Sequence, residues 1–144
     1  MDKNFAGFLY RAKKANFAET ATQDAPDGTY EFRFSEGDLE YTDACLGTVI
    51  LSGKEVVRQN GVPVWSMNYI SRVVSDDFSA KFLAEALAKI PEDLPYRGKQ
   101  SYENGGYSYV CTVRGDLDWF YGYEEIFKDG EKVYECAFHG GAVE

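Results

Sequence analysis

The chain is poor in the residues from which most recognisable chemistry is assembled. Its 144 residues include one histidine, His139, and three cysteines, Cys45, Cys111 and Cys136, with no CxxC spacing. A zinc site would have to be gathered from scattered single ligands, so none is expected. The odd cysteine count with no secretory leader points to free thiols and a cytoplasmic location. No apolar run approaches the roughly 18 residues of a membrane helix, so no membrane association is expected. There is no GxGxxG, Walker, HExxH or GxSxG motif, and no catalytic residue or cofactor is assigned. Clusters of Lys and Arg are missing too. With 24 acidic against 15 basic residues and a net charge of −9, direct nucleic-acid binding is not expected, because phosphate backbones select basic surfaces.

What the chain does have is aromatic side chains: 10 Phe, 11 Tyr and 2 Trp. That content argues for a packed core rather than disorder. Residues 51–71 and 120–140 align without a gap. Gly53 falls on Gly122, Glu55 on Glu124, Gly61 on Gly130 and Val64 on Val133. Upstream, Gly37-Asp38-Leu39 matches Gly115-Asp116-Leu117. Apolar residues at Phe5, Phe8, Leu9 and Ala12, and again at Phe82, Leu83, Ala86, Leu87 and Ile90, follow helical spacing. Asp76 or Asp77 is the expected cap of the second helix and Pro91 its stop. The polar stretches 19–28 and 91–106 read as loops. These features predict an α+β fold. It is a tandem duplication of a helix-plus-three-strands unit, with one antiparallel sheet and helices on one face. The whole chain would be a single domain, with repeat one about 3–74 and repeat two about 75–144.

Asn60-Gly61 and Asp129-Gly130 suit two-residue hairpin turns that need positive φ. Counting outward without interruption opposes Glu124 to Glu135, Glu55 to Ser66, Gly53 to Asn68 and Phe120 to His139. Trp65, Met67 and Tyr69, with Trp119, Tyr121, Tyr123, Tyr134, Cys136 and Phe138, then form a core face. Glu55, Ser66, Asn68, Glu124, Glu135 and His139 share the opposite face and are the candidate ligand-binding residues. Two carboxylates facing each other repel unless a cation or a proton lies between them. The reading is a non-enzymatic small-molecule-binding or sensory domain, with a carboxylate- and aromatic-lined cleft between two pseudo-symmetric halves. Its expected ligand is small and cationic or aromatic, and the chain a monomer or homodimer. A protein-interaction module is the alternative. A small hydrolase or isomerase using the Glu pair with His139 is a second one.

The runs Trp119-Phe120-Tyr121-Gly122-Tyr123-Glu124-Glu125-Ile126, Val133-Tyr134-Glu135 and Phe138-His139-Gly140-Gly141 resemble an uncharacterised bacterial domain family. So do Pro63-Val64-Trp65-Ser66-Met67-Asn68-Tyr69 and Tyr102-Glu103-Asn104-Gly105. Members of that family stand alone or follow a phage-repressor-type helix-turn-helix. The resemblance implies a sensory or regulatory module and carries no catalytic residues. The sequence opens at its first predicted helix, so direct promoter binding is not expected. More loosely, the tandem architecture is similar to gyrase-inhibitor-like effector-binding domains, which implies a ligand cleft between halves.

Overall fold

A computed structural model describes residues 1–18, 23–24 and 27–144. Helix α1 spans Lys3–Ala18 and buries Phe5, Phe8, Leu9 and Ala12, the expected apolar stripe, together with Lys13. Strands follow at β1 (Gln23–Asp24), β2 (Tyr30–Glu36), β3 (Leu39–Gly47), β4 (Ile50–Gln59) and β5 (Val62–Val73). Helix α2 spans Ala80–Leu87. It is followed by β6 (Ser101–Asn104), β7 (Tyr107–Asp116), β8 (Trp119–Lys128) and β9 (Glu131–Ala142).

The expected α+β tandem of helix-plus-three-strands units does not form. Strands dominate, and they make a single antiparallel sheet in the order β1-β2-β3-β4-β5-β9-β8-β7-β6. Each half is a four-stranded meander, β2 to β5 and β6 to β9, and two-residue β1 extends one edge. The two longest strands, β5 and β9, join the meanders from Trp65 opposite Ala142 to Val73 opposite Tyr134. The strand missed in the second half is β6, a polar tetrapeptide before Gly105-Gly106, where composition resembles a loop. The loop expected at 91–106 therefore ends at Gln100. The polar stretch 19–28 falls largely outside the described residues.

Ser79 caps α2 in place of Asp76 or Asp77, its Oγ accepting from the Phe82 N–H at 3.1 Å. The helix ends at Leu87, before Pro91, and Ile90 is buried just beyond it.

The hairpin turns sit where the sequence puts them. Asn60 and Asp129 have φ of 50°, and Gly61 and Gly130 of 81° and 86°, the left-handed pair such turns demand. The register beyond them is different. In the first hairpin Arg58 faces Pro63 but Val57 faces Trp65, so Val64 is an extra residue. In the second, Phe127 faces Lys132 but Ile126 faces Tyr134, and Val133 is extra. These are β-bulges, one in each hairpin. Because side chains alternate, a one-residue slip turns one strand over relative to its partner. Glu124 therefore faces Cys136, Glu55 faces Met67, Gly53 faces Tyr69 and Tyr121 faces His139.

The helices lie on the face that carries Phe34, Tyr41, Glu55, Trp65, Met67, Tyr109, Phe120, Glu124 and Phe138. Phe5 packs on Trp65 and Phe8 on Phe34, while Phe82 stacks on Tyr102 and Tyr107. Trp119, Tyr121 and Tyr123, expected in the core, project from the opposite, open face.

Gly122 exists in this register because Phe138 lies across it. An added Cβ would stand 2.3 Å from the Phe138 ring and 2.9 Å from the Thr112 carbonyl oxygen. Urea denaturation of Gly122→Ala should show a loss of about 1–3 kcal/mol from overpacking. A loss below about 0.5 kcal/mol would mean that Phe138 moves aside freely.

Candidate functional site

The buried face of the sheet carries two matching rows, each centred on a glutamate. On β3, β4 and β5 the row is Asp43, Glu55 and Met67. On β7, β8 and β9 it is Cys111, Glu124 and Cys136. Both glutamates are fully buried. Neither comes from a polar surface, so each carries a desolvation cost that a cation and hydrogen bonds must offset.

For Glu124 the cation is Arg97, from the loop between α2 and β6. Its guanidinium meets the carboxylate in a fork, Nε to Oε2 at 3.0 Å and Nη2 to Oε1 at 3.1 Å. The Tyr134 hydroxyl donates to Oε1 at 3.0 Å, and the Tyr109 hydroxyl donates to Oε2. Burial opposes the charge on Arg97, but the Glu124 carboxylate outweighs it and holds the guanidinium protonated. The same guanidinium lies 5.7 Å from the Phe17 ring centre and 5.6 Å from that of Tyr69, a cation–π clamp.

For Glu55 the cation is Lys13, 3.2 Å from Oε1 and fully buried under α1. The ammonium also donates to the Tyr96 carbonyl and lies 5.5 Å from the Trp65 ring centre. Burial lowers the Lys13 pKa, with Glu55 acting against that shift. The Tyr41 hydroxyl donates to Glu55 Oε1 at 2.7 Å, while Oε2 has no partner among the described residues. Asp43 neighbours Glu55 and accepts from Tyr69 Oη at 2.7 Å and Asn16 Nδ2 at 2.7 Å. Three carboxylates thus share this layer with two cations. Burial and the adjacent Glu55 push the Asp43 carboxyl up to about 6.

Asp43, Asn16, Tyr69 and Arg97 open onto a cleft of about 300 Å³ between the end of α1 and the length of α2. Phe17, Leu51, Phe78, Leu83 and Tyr134 supply apolar wall. This volume is at the small end of ligand pockets.

The six residues singled out from the sequence are divided by the sheet. Glu55 and Glu124 lie beneath the helices. Ser66, Asn68 and His139 lie together on the open face, with Asn68 directly opposite His139. Glu135 is also on the open face, paired with Arg72 at 2.6 Å. The carboxylates that do face each other are Glu125 and Glu135, and Lys132 reaches both, at 2.9 and 3.2 Å. Asp43, Lys13 and Arg97 were missed. Lys13 had a signal, a charge four residues after Leu9 on the apolar stripe. Asp43 had one too, alternating in phase with Tyr41 and Cys45. Arg97, in a loop, had none. All three cysteines are free; burial pushes Cys111 up to about 11 and Cys136 to about 12, the behaviour of inert core thiols.

A family model for a domain of unknown function, DUF5680, matches residues 43–143. The chain belongs to that family. The matched span includes Asp43, Glu55, Arg97 and Glu124, while Lys13 and Asn16 precede it. No curated protein and no solved structure was found to match. No helix among the described residues is long and apolar enough to cross a membrane, and those residues hold no cluster suited to a metal ion.

Two outcomes test this layer. Glu124→Gln leaves Arg97 buried without its counter-charge and should cost about 3–5 kcal/mol in urea denaturation. Arg97→Met with Glu124→Gln should cost less than the two single losses added together, the mark of direct coupling. The second concerns acid. Folded Asp43 keeps a proton up to about pH 6 that an unfolded chain releases near 3.9. Its contribution to stability therefore falls as pH rises through that window and the cost is complete above it. Asp43→Asn should remove this fall, raising the stability of the variant relative to the parent between pH 4 and 7. A constant difference across that range would refute the assignment.

Proposed function

We propose that the protein is a non-enzymatic binding domain whose helix-side cleft takes a small cationic ligand with an apolar or aromatic body. The observation that carries this reading is the charge imbalance beside the cleft: Asp43, Glu55 and Glu124 against Lys13 and Arg97. Asp43 is the member that opens onto the cavity, so an ammonium there would supply the missing positive charge. Phe17, Phe78 and Tyr134 would contact the rest of the ligand. Both α1 and α2 border the cavity, so an occupant would touch both, which suits a sensory or regulatory role.

Family members fused to repressor-type DNA-binding domains would put such a module in a regulatory setting. The looser similarity to gyrase-inhibitor-like effector domains rests on a tandem architecture that does not form. The continuous meander is a different strand order from paired strand-helix-strand-strand modules, and the proposal does not lean on that kinship. An interaction module remains the alternative class, favoured by aromatic side chains exposed on the open face. The hydrolase or isomerase reading has less behind it. It needs Glu124, Glu135 and His139 to converge, and Glu124 lies on the other side of the sheet from the other two.

Thermal denaturation at pH 8 with benzylamine, tyramine, spermidine and tetramethylammonium tests the proposal. At least one amine should raise Tm by several degrees at millimolar concentration, as expected for a ligand that binds only the folded state. Benzyl alcohol, the neutral analogue, should not. The shift should disappear in Asp43→Asn. No shift with any amine, or an equal shift in Asp43→Asn, would overturn the reading.

A further inference from the structure

The open face of the sheet carries a second, chemically different arrangement at its centre. Strand pairing lays three residues of β5, β9 and β8 side by side in successive rows. Ser66, Gly141 and Trp119 form one row, Asn68, His139 and Tyr121 the next, and Ile70, Ala137 and Tyr123 the third. Read along the strands, β8 is a column of aromatic rings and β5 begins as a column of hydroxyl and amide. Between them β9 offers Gly141, His139 and Ala137. Small side chains at Gly141 and Ala137 leave a trough between the two walls. Two adjoining depressions there measure about 400 and 460 Å³. The Arg72–Glu135 ion pair lies in the row beyond Ile70 and ends the trough on that side.

Two features separate this trough from ordinary solvated sheet. First, no charged side chain lines either depression, although 27% of the chain is Asp, Glu, Lys or Arg. Second, its polar groups are idle. Among the described residues the side chains of Ser66, Asn68, His139, Trp119 and Tyr121 make no hydrogen bond, whereas Tyr123 donates to Glu135. Trp119 is 78% exposed and Tyr121 59%, large areas of ring to leave in water.

We infer that this trough binds a neutral oligosaccharide, pyranose faces lying on Trp119 and Tyr121 and hydroxyls bonded to Asn68, His139 and Ser66. The chemistry selects that class against the others. A purely apolar ligand would bury an amide, an imidazole and a hydroxyl without partners, at a cost of about 1–3 kcal/mol each. A polyanion would find no cation lining the depressions, only Lys54 and Arg114 on the flanking strands, and a net charge of −9 on the chain. An ammonium would find no carboxylate among the residues lining either depression, Asp116 standing outside them on β7 beside Trp119. A sugar has both things the trough offers to meet: an apolar C–H face for the rings, and hydroxyls that donate and accept. Successive aromatic rings on β8 are about 7 Å apart, so the trough suits a linear chain of at least two sugar units.

Trp119 provides the reporter, because the other tryptophan, Trp65, is fully buried. Emission of the whole protein is titrated with cellohexaose, xylohexaose, maltohexaose and chitohexaose to 10 mM. At least one should give a saturable change in Trp119 emission. Asn68→Ala and His139→Ala should each weaken it tenfold or more, and calorimetry on Trp119→Ala should show no heat of binding. Asp43→Asn, on the other side of the sheet, should leave the sugar titration unchanged, so this inference and the cleft proposal stand or fall separately. Three results would overturn it: no response to any of the four sugars, a response that survives Asn68→Ala and His139→Ala, or a dimer in sedimentation that Trp119→Ala dissociates. The last would give the face to a second copy of the chain.

Discussion

Two buried carboxylates govern how this protein is layered. Glu55 and Glu124 point from the middle of the sheet into the space beneath the helices, where neither could remain charged alone. No strand supplies the compensating cation. Lys13 comes from α1 and Arg97 from the loop after α2, so each charge on the sheet is met by a segment packed over it. The same contacts do structural work. Lys13 also donates to the Tyr96 carbonyl, which ties α1 to the loop that carries Arg97. Arg97 in turn lies between Phe17 of α1 and Tyr69 of β5. The helix, the loop and the sheet are joined through two ion pairs and the rings around them. A buried ion pair is seldom a net gain over apolar packing. What it enforces is position, because a helix shifted by one turn would strand two charges.

The elements were more legible than their faces. Helical spacing located the cores of α1 and α2, and Asn-Gly and Asp-Gly located both hairpin turns. The pairing next to each turn follows from turn geometry alone: Lys128 does face Glu131. Two pairs further out, Val64 and Val133 each enter as an extra residue, and every assignment beyond them inverts. Pro63 gives a partial hint in the first hairpin, since proline cannot donate to a ladder. Lys132 occupies the corresponding place in the second and gives none. Aromatic content was no guide either. Trp119 and Trp65 are similar in sequence terms, yet one is 78% exposed and the other fully buried. The facing Glu124–Glu135 pair was therefore an artefact of an unbroken count. What sets Glu55 and Glu124 apart in the structure is their burial.

The sheet separates two kinds of chemistry that the sequence interleaves. Towards the helices lie charges, paired two to three, with aromatic hydroxyls as donors. On the open face at the β5–β9 junction lie neutral polar groups and exposed rings, with charges set at its margins: Lys54 on β4, Arg114 and Asp116 on β7, and the Arg72–Glu135 pair. Residues two apart in sequence share a face, while immediate neighbours such as Phe138 and His139 do not. A single strand, β9, thus contributes Tyr134 to the charged layer and His139 to the neutral trough.

The family match begins at Asp43, and the geometry shows why that boundary cuts through a structural unit. The span 43–143 holds all three carboxylates of the buried layer and only one of its cations. It omits α1, β2 and the first half of β3. Without α1 there is no Lys13 for Glu55, no Asn16 for Asp43, and no Phe17 against Arg97. Tyr41, the donor to Glu55, is lost as well. A segment beginning at Asp43 would keep the carboxylates and lose the groups that make the Asp43–Glu55 row tolerable in a core. The residues before the matched span therefore supply one of the layer's two cations and one wall of the cleft, and belong to the same folded layer as the rest.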